Sequence, residues 1–87
     1  MSILEQSFII TNPTGLHLRP AALLVNKAME FSCHITLVKG EEKASADSLM
    51  SILALGIAAH DVVTVITSGD REGEALQAIG ELLTKEE

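Results

Sequence analysis

Apolar residues follow two different spacings in this chain, and segments of each kind alternate along the sequence. Four short segments alternate between apolar and polar residues or form brief apolar runs, which predicts β-strands over residues 4–10, 32–37, 43–46 and 62–66. Three others carry apolar residues at intervals of three and four, which predicts helices with one buried face. The predicted order is therefore β-α-β-β-α-β-α.

Turn and cap residues separate these segments. The run Thr11–Gly15 is typical of a turn, and Pro20 suits the first turn of the helix that follows, where a missing N–H does no harm. Gly40 marks a hairpin between the second and third strands. The predicted caps are Asp47 and Ser48 before a short helix Leu49–Leu55, and Ser68, Gly69 and Asp70 before the last helix.

Few, hairpin-linked strands with helices on one face indicate an α+β fold, and we expect residues 1–87 to form one domain. The other face of the sheet would be solvated, which suits polar side chains there. Ile9 does not fit this pattern. The polar residues expected on the solvated face are Gln6, His34, Thr36 and Thr64.

The composition disfavours several functions. Phe8 and Phe31 are the only aromatic residues, so Ile, Leu, Val and Ala must build the core, and rings for base stacking are scarce. The formal charge of -6 repels phosphate backbones, so we expect no nucleic-acid partner. Cys33 is the only cysteine, which excludes an internal disulfide and predicts a small buried hydrophobe.

We expect a cytoplasmic protein without membrane insertion, because paired cysteines, a long apolar stretch and a signal-like start are all missing from the sequence. Neither His34 nor His60 has a second ligand at metal spacing, so no metal and no cofactor are expected. No paired acid and base and no nucleotide loop are visible, which disfavours a metabolic enzyme.

The segment GLHLRPA, residues 15–21, is the most informative part of the chain. His17 directly precedes a predicted helix, where N–H groups and the positive end of the helix dipole form an anion site. A neutral imidazole there keeps a lone pair and can act as a nucleophile. Arg19 lies two residues further on, where its guanidinium can hold phosphate oxygens. From the residues alone, His17 is either this nucleophile or only a helix cap.

GLHLRPAA closely resembles the active-site signature of the HPr family, the small phosphocarriers of the bacterial phosphoenolpyruvate-dependent sugar phosphotransferase system. A second motif, SLM at 48–50 leading to LGI at 55–57, extends the resemblance over nearly the whole chain. The resemblance implies an open-faced β-sandwich, with a four-stranded antiparallel sheet covered on one face by three helices. It also implies a carrier and not an enzyme. Enzyme I would phosphorylate His17 at Nδ1, Arg19 would clamp the phosphate, and IIA components would receive it.

Ser48 matches a position that is a regulatory phosphorylation site in many Gram-positive members, which implies HPr kinase/phosphorylase and a transcriptional regulator as further partners. Serine is also a good N-cap, and the two roles are compatible. We expect a monomer that meets its partners through one surface, termed here the docking face. It consists of Leu18, Arg19, Leu49, Met50 and Leu53, although Leu53 fits the core equally well.

Several positions depart from the family pattern. Many members place lysines around the histidine, and the matching positions here are Asn26, Met29, Asp47 and Ser51. Only Arg19 and Lys27 are basic nearby, which changes the expected steering toward partners but not the chemistry. Leu18 stands where a smaller residue is usual. The family usually has glycine where His60 stands, so we expect His60 to adopt a positive φ.

A second function remains open on the same fold. The chain would then be a specialised regulatory paralogue, serving a nitrogen-related, fructose or dihydroxyacetone branch and acting by phosphorylation-dependent protein binding. His17 favours the carrier, because a purely regulatory protein need not keep it.

Overall fold

A computed structural model of the chain describes residues 3–85, and its elements follow the predicted order. The strands are β1 (Ile3–Ile9), β2 (His34–Lys39), β3 (Glu42–Ser45) and β4 (Val62–Ser68). The helices are α1 (Leu18–Ala28), α2 (Leu49–Ala54) and α3 (Glu72–Leu83).

The four strands form one sheet in the order β1-β4-β2-β3, and each neighbouring pair is antiparallel. The first strand and the fourth strand of the chain are therefore neighbours, and β1 and β3 are the two edges. The three helices cover one face of the sheet. The predicted fold class, an α+β open-faced β-sandwich, is confirmed.

The core lies between this covered face and the helices. Alternate side chains of the strands point into it, as the period of two requires. The helices contribute residues spaced three or four apart, and each large aliphatic side chain buried this way contributes about 1.5–3 kcal/mol. The buried core residues of the sheet and the two long helices are Ile35, Leu37, Ala44, Val63, Val65, Ala21, Leu24, Ala28, Ala75, Ile79 and Leu83.

The open face of the sheet accounts for Ile9. Ile9 lies directly opposite Val62, and the two side chains are 56% and 53% exposed. Cross-strand neighbours of this kind stabilise each other, so Ile9 has an apolar partner on a face that is otherwise mixed. On the same face the hydroxyl groups of Ser7 and Thr64 are hydrogen-bonded at 2.8 Å.

The prediction that Gln6 lies on the open face is wrong. Gln6 pairs with the buried Val65, and directly paired residues point to the same side of a sheet. Its side chain therefore lies on the helix side, in a shallow groove shared with Leu76 and Gly80 of α3. It stays exposed because β1 is an edge strand, so the helix layer covers it only in part.

The predicted caps of α3 are also wrong. Ser68 still belongs to β4, and the residue that precedes the helix is Arg71, with φ of 56° and no side-chain cap hydrogen bond. A carboxylate oxygen of Glu72 accepts instead from the Gly69 N–H at 3.0 Å. Arg71 is held in this conformation by its own contacts: its guanidinium lies 5.1 Å from the centroid of the Phe31 ring and 2.7 Å from Glu74.

Helix α3 approaches β1 closely because Gly80 has no side chain. A Cβ atom built at Gly80 would overlap the ring of Phe8. At Gly73, on the same helix, the nearest atom to such a Cβ would be the Leu4 Cδ1 at 3.9 Å, which is an ordinary contact. A side chain is therefore excluded by steric overlap at Gly80 but not at Gly73.

We expect Gly80→Ala to lower the free energy of unfolding by about 1–3 kcal/mol, because the half-buried Phe8 ring has to move out of its place. Gly73→Ala is the matched control, and the gain in helix propensity should leave stability unchanged or raise it by up to about 1 kcal/mol. Urea unfolding of both variants measures the difference. Equal stability of the two would show that Phe8 adjusts without loss.

Candidate functional site

The turn before α1 is closed by its own hydrogen bonds. Asn12 is buried, and its side-chain oxygen accepts from the N–H of Thr14 at 3.0 Å and from the Thr14 hydroxyl at 2.8 Å. The Gly15 N–H donates to the Asn12 carbonyl at 2.9 Å. This side-chain mimicry of a backbone turn gives residues 12–15 a defined shape before the chain reaches His17.

The same turn lies against residues 56–61, termed here the platform segment. The Leu16 N–H donates to the Ile57 carbonyl at 3.0 Å, and Ile10 exchanges backbone hydrogen bonds with His60 and Asp61 at 2.8 and 2.9 Å. Within the platform segment the Asp61 N–H closes a turn onto Ala58, and φ at His60 is 72°. The predicted left-handed conformation of His60 is confirmed.

Gly15 makes the contact between the two segments possible. Its φ is 72°, and a Cβ atom there would lie 2.7 Å from the Ile57 carbonyl oxygen and 2.9 Å from the Cα of Ala58. Both neighbours are backbone atoms, which cannot rotate away as a side chain can. Leu16, next in the chain, is buried and fixes the position from which His17 emerges.

His17 occupies the N-cap position of α1, but its side chain does not act as a cap. Its backbone is extended, with φ of -86° and ψ of -168°, and its carbonyl accepts from the Ala21 N–H at 3.0 Å. The imidazole makes no side-chain cap hydrogen bond and is exposed. An exposed imidazole at a helix N-terminus, with no acidic residue in the first helical turn, suits a nucleophile that carries an anion.

The residues of the docking face occupy α1 and α2, which pack against each other. Leu18 and Met50 are 60% and 75% exposed, so both present apolar area to the solvent. Leu49 and Leu53 are half-buried and pack against the core, so Leu53 contributes to both the core and the surface. Arg19 lies in the first turn of α1, two residues from His17.

Ser48 is the N-cap of α2, as predicted from the residues. Its hydroxyl oxygen accepts from the Ser51 N–H at 3.3 Å and its hydroxyl donates to the Ser51 side chain at 2.9 Å. Asp47, beside it, is exposed and accepts from the Ser45 hydroxyl at 2.6 Å. The four positions that the family resemblance matched to lysines, Asn26, Met29, Asp47 and Ser51, are all exposed.

The structure offers no second reactive centre at Cys33 and no metal site among the described residues. Cys33 is half-buried against the core, and burial, followed by the nearby carboxylates of Glu72 and Asp70, raises the pKa of its thiol above the ordinary value. Among residues 3–85, no three His, Cys, Asp or Glu side chains are placed to hold a metal ion together. No helix in that range has the length and apolar character needed to cross a membrane.

One pair next to the site was not predicted from the sequence. The Lys39 ammonium donates to the Gly56 carbonyl at 2.8 Å and lies 3.1 Å from Oδ2 of Asp61. That carboxylate also accepts from the Ala58 N–H at 2.8 Å. The Ala58 N–H first, and Lys39 second, lower the pKa of Asp61. No local pattern signals this pair, because Lys39 ends β2 and Asp61 lies in the distant segment just before β4.

Comparison with known proteins places the chain among phosphocarriers. A family model described as the PTS HPr component phosphorylation site matches residues 4–85. The phosphocarrier protein HPr of Mycoplasma capricolum subsp. capricolum is 37% identical over 73 residues, which cover 84% of this chain and 82% of that protein. The HPr-like protein Crh of Halalkalibacterium halodurans is 36% identical over 84 residues, which cover 97% of this chain and all of that protein.

Solved structures agree with the sequence comparisons. The crystal structure of a phosphocarrier protein HPr from Bacillus anthracis superposes with a TM-score of 0.92 at 30% identity, and the match covers 97% of this chain and all of that one. The structural match therefore covers nearly the whole chain.

We expect Gly15→Ala to lower the free energy of unfolding more than Gly40→Ala does. Both glycines have positive φ, so alanine costs about 1–2 kcal/mol at either position. A Cβ at Gly40 meets nothing within 4 Å, whereas at Gly15 it meets the platform backbone and should cost about 1–3 kcal/mol more. Thermal unfolding measures the difference between the two variants. Equal losses of stability would mean that the turn at Gly15 can move away from the platform segment without cost.

Proposed function

Because the chain belongs to the HPr family of phosphocarrier proteins, we propose that it accepts a phosphoryl group on Nδ1 of His17 from phosphorylated enzyme I. Phosphoenolpyruvate is the original donor, and a IIA component is the next acceptor. The observation that carries the proposal is the placement of His17. Its imidazole is exposed at the N-terminus of α1 and is not used as a cap, so it is available to a partner.

The chemistry needs only a lone pair and a site for negative charge. The Nδ1 lone pair attacks phosphorus, the bond between phosphorus and the donor breaks, and that electron pair returns to the donor. Transfer to the IIA component repeats the step with this protein as the donor. The negative charge on the phosphoryl oxygens is met by the N-terminal end of α1 and by the Arg19 guanidinium, whose fork geometry suits two phosphate oxygens.

The docking face supports a transient interface with a partner. Leu18 and Met50 supply exposed apolar area, and Arg19 supplies one charged anchor. With lysine missing from the four surrounding positions, long-range attraction to acidic partner surfaces is weaker than in lysine-rich relatives. We therefore propose that affinity for enzyme I here depends mainly on apolar contact and less on salt concentration.

A regulatory role is the second candidate, and the accessible N-cap Ser48 together with the match to the HPr-like protein Crh favours it. In this reading, HPr kinase/phosphorylase modifies Ser48, and a transcriptional regulator recognises the phosphorylated protein. The two candidates differ in one result, since only the carrier acquires acid-labile phosphate from phosphoenolpyruvate and enzyme I.

We expect His17→Ala to abolish acid-labile labelling by phosphoenolpyruvate and enzyme I while melting at the same temperature as the wild type. The side chain is exposed and makes no cap hydrogen bond, so its removal does not affect folding. Arg19→Ala should keep the site but slow transfer about tenfold or more, because a charge-assisted contact to the phosphoryl group is lost. Undiminished labelling of His17→Ala would assign the phosphate to another residue.

We expect Ser48→Asp to weaken binding of enzyme I about tenfold with an unchanged melting temperature. Aspartate caps a helix as well as serine does, but it places a fixed negative charge beside a surface that must be desolvated. Ser48→Asn is the matched control, because asparagine keeps the cap without the charge. Titration of enzyme I against both variants separates the effects. If both variants bind enzyme I equally weakly, the shape of the cap side chain is responsible and its charge has no role.

A further inference from the structure

The turn that presents His17 takes its position from the platform segment, residues 56–61. Three backbone hydrogen bonds and the close contact of Gly15 join the two, and His17 follows immediately after the last of these contacts. A shift of the platform backbone therefore moves Leu16, and with it the start of α1. The position of the imidazole depends on whatever holds the platform in place.

Lys39 holds the platform from outside, at two points. Its ammonium reaches from the end of β2 to the Gly56 carbonyl, where the segment begins, and to Asp61, where it ends. Asp61 in turn accepts from the Ala58 N–H in the middle of the segment. The pair thus connects both ends of the platform to the central part of the sheet and closes the turn between them.

The location of the Lys39 ammonium also has an electrostatic reason. Carbonyl groups at the C-terminal end of a helix carry partial negative charge, and α2 has no basic residue in its last turn. Gly56 follows the last residues of α2, and Lys39 supplies the missing cation from a neighbouring strand. Its side chain and that of Asp61 are 33% and 31% exposed, so solvent screens the pair only in part.

We infer that Lys39 and Asp61 are positioning residues for phosphoryl transfer at His17, acting by fixing the platform segment on which the His17 turn rests. The inference depends on the proposed carrier function. Neither residue belongs to the docking face, and the hydrogen bonds and ion pair described for them are made with the platform segment and not with His17. Their effect on transfer is therefore one of geometry, and reacting groups displaced by a fraction of a bond length react more slowly.

The test compares Lys39→Met with Lys43→Met. Both remove one lysine charge, but Lys43 is an exposed residue of β3 outside the platform and the docking face. Amide hydrogen exchange of Leu16 reports on its bond to Ile57, and the amide of Ile79 in α3 reports on global unfolding. Single-turnover labelling by phosphorylated enzyme I gives the rate at saturation and the concentration of enzyme I that gives half of that rate.

For Lys39→Met we expect Leu16 exchange to rise about tenfold while Ile79 exchange stays unchanged, which marks a local opening. The saturating transfer rate should fall about five- to fiftyfold with the half-saturating concentration within about twofold of wild type. Lys39→Arg should restore most of the rate, because a guanidinium can bridge the same two acceptors. Asp61→Asn should lower the transfer rate less than Lys39→Met does. The asparagine amide oxygen can still accept from the Ala58 N–H, and Lys39 can still donate to the Gly56 carbonyl.

Three results would overturn the inference. Leu16 exchange equal to wild type would show that the pair does not fix the turn, and a parallel rise at Ile79 would show general destabilisation. The same rate loss in Lys43→Met would assign the effect to net charge. Failure of the wild type to be labelled at all would instead overturn the carrier function, and the exchange measurements would still decide whether Lys39 fixes the His17 turn.

Discussion

Close packing at alanine and glycine positions is the constraint on which the rest of this structure depends. Alanine fills five buried positions that face the centre of the molecule: Ala21, Ala28, Ala44, Ala46 and Ala75. Because interiors pack densely, helices with such faces must lie close to the sheet. Gly80 against Phe8 is the extreme case, and the close approach of Gly15 to residues 57–58 is its counterpart among the loops.

The pattern of apolar residues predicted the fold because each element buries only one face. Alternation located the strands to within a few residues at each end, and a helical period predicted a helix in each of the three places where the structure has one. Where one face is not clearly buried, the pattern failed. Edge strand β1 is exposed over most of its length, so its alternation did not show that Gln6 lies on the helix side.

The site divides in the same way into local and non-local parts. The placement of His17 before a helix and of Ser48 as an N-cap follows from neighbouring residues, so the sequence alone predicts both. Arg71 at positive φ and the contact of Lys39 with Asp61 and Gly56 depend on residues that come together only in the folded chain. A single sequence carries no signal for contacts of this kind.

The pairing of β1 has a consequence for the order in which the molecule forms. Within the sheet β1 contacts only β4, which lies near the opposite end of the chain, so this pairing closes a long loop. During synthesis the apolar residues Ile3 and Ile9 remain unpaired until β4 has left the ribosome. The turn before His17 also lacks its contacts until then, because residues 57–61 are synthesised only just before β4. The end of the protein that carries His17 is thus among the last regions to assemble, and an incomplete chain would present this histidine without the geometry around it.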